Sequence, residues 1–242
     1  MKLSQDSILQ LDLLIQTSLT AGIKKLVIES GKIRGIDEKQ SVVIISTDNV
    51  PDFGGKQIGI NRLDALAARL NLVKNQGTVN IEATEASNKT DISLLDLSSG
   101  KTKAQFRCAS VEAVKGVPKN IADTLVWEIK ISNKELPVIA QAITAMGAEG
   151  VTVASKDGKT VSVELVDGNK DIFTTDLTEA PAWIGAGTAQ SSFCKKYPAK
   201  IFVSLLKEAL KTTDVLSLQL GEGGIFSFKV NGFDFYVLPV TN

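Results

Sequence analysis

The chain of 242 residues contains no histidine. That absence removes histidine-based catalytic triads, imidazole metal ligands and the usual neutral-pH general base. Cysteine is nearly absent as well: Cys108 and Cys194 are far apart, too few for a zinc site, and read as reduced, buried thiols of a cytosolic protein. No run of about 18 apolar residues occurs, which excludes a membrane-spanning helix. The opening Met1-Lys-Leu-Ser-Gln-Asp-Ser7, with a further acid at Asp12, makes a poor signal peptide, so the expected location is the cytoplasm. Net charge is lacking too: 27 Lys+Arg balance 27 Asp+Glu, whereas a protein that holds nucleic acid by charge alone carries a strongly basic domain. Phosphate-cradling loops are missing. Gly54-Gly55-Lys56 lacks the spacing and the following Ser or Thr, and Gly185-Ala-Gly187 lacks a third glycine and a preceding strand. Acid pairs such as Glu82 with Glu85 read as solvated surface. Nothing points to an enzyme, a metal or a cofactor.

What is present is an ordinary globular composition, 43% hydrophobic and 22% charged, of a length that suits two domains of about 120 residues. Residues 110–124 show neither helical nor strand periodicity and carry Gly116-Val-Pro118. Proline lacks an amide donor and drives the preceding residue towards extended geometry. This stretch therefore reads as a surface connector between domains at 1–109 and 125–242. Each half repeats one plan: a helix, short strands, a second helix, more strands. The duplication shows in element order and hardly in residue identity.

In the first half, Ser4 caps a helix predicted over 5–16, apolar at Ile8, Leu9, Leu11, Leu13, Leu14 and Ile15 and so expected to be covered on more than one side. Strands are predicted at 25–29, 32–37, 42–47 and 57–60, a helix at 61–72, and strands at 77–83, 91–96 and 102–108. In the second half a strand at 125–131 leads to Ser132 and Glu135, spaced as a capping box for a helix to about residue 146. Strands follow at 151–154, 160–165 and 170–177, the first two joined around Asp157-Gly158. Residues 178–197, rich in Gly, Ala and Ser, read as a loop. A helix is predicted at 198–211, then strands at 215–220, 225–230 and 233–238, with Asn231-Gly232 marking a tight hairpin.

The remaining chemical signal lies on the two second helices. Lys200, Lys207 and Lys211 fall within about 40° of one another on a helical wheel, with Ser204 on the same side, opposite Ile201, Phe202, Leu205, Leu206, Ala209 and Leu210. Arg62 and Arg69 share a face of the 61–72 helix. A lysine face alone is commonly a solubilising surface. Two equivalent helices with cationic outer faces in a neutral protein suggest one surface for a polyanion, with backbone phosphates met without base specificity. Few aromatic residues accompany these faces, which disfavours stacking on single strands.

Met1-Lys-Leu-Ser4 entering a helix, Asn49-Val-Pro-Asp-Phe53 before the second helix, Val117-Pro-Lys119, Trp127-Glu-Ile-Lys130 and the closing Phe233-Asp-Phe-Tyr-Val-Leu-Pro239 carry a resemblance. The chain resembles the sliding clamps of tailed phages, DNA polymerase processivity factors related to proliferating cell nuclear antigen. The resemblance covers essentially the whole length in element order and rests on short motifs. It implies an α+β fold of two similar clamp domains, each with two helices on β-sheet, assembled as a homotrimeric ring around double-stranded DNA. It also implies a DNA polymerase docked by a short peptide and an ATP-dependent clamp loader. On that basis Arg62, Arg69, Lys200, Lys207 and Lys211 face DNA, with Lys195 and Lys196 near one rim. Val114, Val117, Pro118 and Ile121 of the connector, with Tyr236, Leu238 and Pro239, bind the partner. Gln105, Phe106 and Arg107 meet Ile172, Phe173 and Thr174 of a neighbouring subunit. Asp6 and Asp12 on the first helix depart from the expected cationic lining. A reading from another class is a virion or other structural assembly protein with duplicated β-rich domains. Aligned lysines favour the clamp, because a shell has no need of them.

Overall fold

The computed structural model describes residues 1–186 and 192–240. The chain divides into two compact units, Met1–Ile121 with Gly232–Asp234, and Ala122–Asn231 with Phe235–Asn242.

Unit 1 begins with α1 (Gln5–Thr20), whose start is set by Ser4: its hydroxyl oxygen accepts from the Ser7 amide at 3.2 Å. Then come β1 (Ile23–Glu29), β2 (Lys32–Asp37), β3 (Val42–Ser46), β4 (Ile58–Ile60), α2 (Leu63–Lys74), β5 (Asn80–Glu85), β6 (Ile92–Ser99) and β7 (Thr102–Arg107). The spatial order β3-β2-β1-β4 forms one antiparallel array and β5-β6-β7 a separate three-stranded sheet with β7 at its edge. Leu63, Leu66, Leu70 and Val73 of α2 are buried, as are Leu11, Leu14 and Ile15 of α1. Such side chains contribute about 1.5–3 kcal/mol each when fully buried.

α1 runs one turn further than its sequence pattern predicts, and it packs on β1 and β5 and against α2. Leu9 is 65% exposed and Leu13 is 41% exposed. The expected cover by both sheet and helix is there, and it leaves out only Leu9 and Leu13 of the apolar positions. Leu9 and Leu13 lie one turn apart, opposite the buried row.

Unit 2 contains β8 (Leu125–Ser132), α3 (Glu135–Met146), β9 (Gly150–Ser155), β10 (Ser162–Val166), β11 (Ile172–Asp176), β12 (Ala182–Trp183), β13 (Phe193–Pro198), α4 (Ala199–Ala209), β14 (Val215–Gly221), β15 (Phe226–Val230) and, from Phe235 on, β16 (Phe233–Val237). One array runs β12-β8-β14-β15-β16 and a second sheet runs β11-β10-β9-β13. The capping box at α3 is formed: Ser132 donates its amide to Glu135 Oε2 at 2.7 Å, and the Glu135 amide donates to Ser132 Oγ at 3.3 Å. Asn231 and Gly232 take φ of 52° and 83°, the left-handed pair that a two-residue hairpin requires.

The segment read from sequence as a loop over 178–197 needs correction. It holds β12 and the six-residue β13, which pairs along β9 from Phe193↔Ser155 to Pro198↔Gly150. Phe193, Lys195 and Tyr197 alternate with exposed Cys194 and Lys196, a period of two hidden by two consecutive lysines. Gly187 of the Gly-Ala-Gly motif lies outside the described residues.

Candidate functional site

α4 presents its apolar face inward, with Phe202, Val203, Leu205, Leu206 and Ala209 buried. Tyr197 and Phe226 clamp Phe202, at ring-centroid separations of 5.4 and 5.5 Å. Tyr197 in turn donates its hydroxyl to the Gly224 carbonyl at 2.7 Å, and burial, with Asp123 and Cys194 nearby, pushes its pKa up. This packing fixes the rotation of α4 and so turns Lys200 and Lys207 to solvent, where both are exposed without an ion-pair partner among the described residues. Lys211 differs. The helix ends at Ala209, and Lys211 lies beyond its cap with Nζ 2.6 Å from Glu208 Oε2. That bond, and a further one from Asn231, outweigh burial and hold the Glu208 carboxyl below its ordinary pKa. Lys207 and Lys211 flank a groove of about 440 Å³ between α3 and α4, floored by Leu136, Pro137 and Ala140 and edged by Asn133, Gln141 and Thr144. Cations, amides and a hydroxyl round a shallow trough suit an anion that keeps part of its hydration.

Lys195 and Lys196 do not act as a pair. They stand on opposite faces of β13: Lys196 is exposed, while Lys195 is half-buried and its Nζ reaches the Gly223 carbonyl at 3.4 Å.

Arg62 and Arg69 are placed differently from their α4 counterparts. Arg69 Nε donates to the Gln105 carbonyl at 2.8 Å and its Nη1 to Ala65 O at 2.8 Å. Arg62 Nη2 reaches the Arg107 carbonyl at 3.4 Å. Both guanidiniums lie over the Phe106 ring, at 5.5 and 5.9 Å. Residues read from sequence as two separate groups, DNA-facing arginines and the edge residues Gln105, Phe106 and Arg107, are thus one cluster. Phe106 is 1% exposed, so its side chain belongs to the core of unit 1. On the other edge, Ile172 is 65% exposed, Phe173 half-buried and Thr174 exposed on β11.

The connector is laid along unit 1 by residues that the sequence did not single out. Asp91, buried, accepts from Gln57 Nε2 at 2.7 Å and from the Val111 amide at 3.3 Å. Burial raises its pKa, but these bonds win and hold it below the ordinary value. Ala109 donates to Gly59 O at 2.9 Å. A Cβ at Gly59 would lie 2.7 Å from Ala109 O and 2.9 Å from Val114 Cγ2, so glycine is required for this close approach. Arg34, 7% exposed, pairs with Glu29 at 2.7 Å and donates to the Val117 and Pro118 carbonyls at 3.5 and 3.4 Å. Lys32 Nζ bonds Lys119 O at 2.8 Å and Asn120 Oδ1 at 2.9 Å. Val114 is buried, leaving Val117, Pro118 and Ile121 half-buried on the connector; Tyr236, Leu238 and Pro239 are also half-buried. One signal was available: Arg34 stands between Ile33 and Gly35-Ile36, a lone guanidinium in an apolar strand that has to find oxygen partners.

Among the described residues no group of three or more His, Cys, Asp or Glu is arranged to hold a metal ion, and no helix is long and apolar enough to cross a membrane.

Two units of helices on antiparallel sheet, with a connector strapped along the first, define the α+β fold of the PCNA-type clamps. The particular structures that follow it along its whole length include PCNA of A. fulgidus bound to the C-terminal region of FEN-1, at TM-score 0.65 and 15% identity, covering 100% of this chain and 98% of that one. The PCNA2-PCNA3 complex of Sulfolobus tokodaii aligns at TM-score 0.62 and 16% identity over 99% of each chain. Proliferating Cellular Nuclear Antigen of Entamoeba histolytica aligns at 0.64 and 15%, over 99% of this chain and 98% of that one. No protein-family model and no curated protein sequence matches the chain.

Proposed function

We propose that this chain is a DNA sliding clamp of the tailed-phage type, a polymerase processivity factor acting in the host cytoplasm. Its two domains, 1–109 and 125–242, are joined by the connector at 110–124, and three copies close head to tail around duplex DNA. The observation that carries this reading is the free lysine face of α4 on a chain that follows the PCNA fold from end to end. A ring held by topology needs only a mildly cationic lining, which agrees with a chain of 27 basic and 27 acidic residues. Lys200 and Lys207 meet backbone phosphates, with Lys211 and Lys196 beside them. A clamp loader driven by ATP opens the ring. A short polymerase tail docks on the half-buried apolar residues of the connector, Val117, Pro118 and Ile121, and of the carboxyl-terminal strand, Tyr236, Leu238 and Pro239. The clamp itself catalyses nothing.

Closure joins the β7 edge of one protomer to the β11 edge of the next. Support comes from β11, whose alternating residues are exposed or half-buried on both faces and which ends its sheet. Such an edge seeks a strand. Because the two patches differ, the contact is heterologous and must close by rotation. Negative-stain electron microscopy of the purified protein tests this: the reading expects closed rings of three protomers with a central hole. Extended sheets or shells would favour the structural-protein alternative and overturn it.

A further inference from the structure

The register of β6 and β7 fixes which backbone groups of β7 face outward. Cys108 donates its amide to Ser93 O at 2.9 Å, and Phe106 stands opposite Leu95. Even-numbered residues therefore bond to β6, and Lys103, Gln105 and Arg107 turn amide and carbonyl to the free edge. Just past the strand, that same edge is already occupied, since Ala109 donates to Gly59 O. Along the strand itself, two of the three outward carbonyls are taken by arginines: Gln105 by Arg69 of α2 and Arg107 by Arg62, the residue that precedes α2. The guanidiniums are held there by the Phe106 ring beneath them.

We infer that Arg62 and Arg69 guard the β7 edge: they occupy the acceptors that a strand of a second copy would use, so protomers join only when both guanidiniums swing away. The inference rests on the clamp reading in one respect, that the occupant is another copy of this chain. The chain carries a matching edge in β11. There Leu177 donates to Val161 O and Asp167 to Asp171 O, so Ile172, Thr174 and Asp176 turn their backbone groups outward. Charge matches as well, with Lys103 and Arg107 on β7 against Asp171 and Asp176 at β11. Capping edge carbonyls with charged side chains is a way to stop unscheduled strand addition. Here the cap is removable, because its donors sit on flexible side chains.

The test is the variant Arg62→Met/Arg69→Met. Methionine keeps aliphatic cover over Phe106 while removing every N–H donor. Protomer association is followed by sedimentation velocity over a dilution series, in 0.5 M salt so that loss of long-range charge is screened. The guard predicts association tighter than the parent by roughly three- to tenfold, the scale of exposed charged hydrogen bonds. Association unchanged or weakened overturns it. If the parent assembles and the variant is no tighter, the guard alone fails. If neither assembles at any concentration, the guard and the ring reading both fail. Should the double variant not fold by thermal melt, Arg62→Met alone, which frees only the Arg107 carbonyl, is read in the same series with the same two outcomes.

Discussion

Replacing Lys200, Lys207 and Lys211 together by alanine should flatten the salt dependence of duplex binding by a calculable amount. Each phosphate contact contributes about 0.9 to the slope of log affinity against log salt. Lys200 and Lys207 are free and count fully, whereas Lys211 is held by Glu208 and counts in part. The slope should therefore fall by about 1.8 to 2.7 per protomer engaged. Between 50 and 200 mM salt one contact is worth a factor of about 3.5, so the parent should lose roughly 12- to 40-fold more affinity than the variant over that range. The substitutions are on exposed positions and should each change stability by less than about 0.5 kcal/mol. Fluorescence anisotropy with a short labelled linear duplex reads this without any contribution from ring topology. A companion variant sharpens it: Glu208→Gln frees Lys211 and should steepen the slope by up to about 0.9. An unchanged slope in the triple variant, with the fold intact, would refute the assignment of α4 as the phosphate-facing helix.

Three further outcomes are expected. Arg34→Met should release the connector from unit 1, since the Val117 and Pro118 carbonyls lose their donor; limited proteolysis should then cut within residues 115–121 at least several-fold faster, and unchanged cleavage would show that the Lys32 and Asp91 ties suffice. Glu135 is held below its ordinary pKa of 4.5 because hydrogen bonds from Ser132 and Thr178 outweigh the opposing effect of burial. A lowered folded-state pKa stabilises the fold above the unfolded pKa, and this contribution is lost as pH falls through the folded one; Glu135→Gln should thus cost about 1–2 kcal/mol at pH 7 and show a shallower loss of stability below about pH 4.5 in denaturant titrations. Proline at Gln105 or at Thr174 removes an outward amide while sparing the bonds to β6 or β10, and should leave monomers in light scattering. Phe173 is the wrong position for this probe, because its amide points to β10.

What the sequence made legible follows from how local each signal is. Ser132 and Glu135 form their box, Asn231-Gly232 turns its hairpin, and the buried row of α4 lies where a period of 3.6 puts it, because these depend on neighbours a few residues away. The helical wheel treated Arg62 and Arg69 as one face of α2, whereas Arg62 precedes the helix as its N-cap and both side chains reach the β7 edge. A wheel gives a direction, whereas a guanidinium on a long stem reaches for whatever carbonyl lies there, and the β7 edge is 36 to 45 residues away in sequence. Leu9 and Leu13 belong to an apolar pattern wider than one stripe, which implies cover on more than one side, yet both remain exposed in the protomer. β13 was missed because an edge strand with one side in solvent tolerates Lys195-Lys196, which breaks the apolar alternation. The ties at Arg34, Gly59 and Asp91 are long-range contacts to the connector, and nothing in their own neighbourhoods specifies that partner.

The central claim is encirclement, and topology tests it most directly. Protomers are mixed dilute with nicked circular plasmid, concentrated so that rings close around the DNA, and separated from free protein by gel filtration in 0.5 M salt. The account predicts protein retained on the circle at this ionic strength and released when one restriction cut makes the plasmid linear. Equal retention on circular and linear DNA, or none on either, would contradict it.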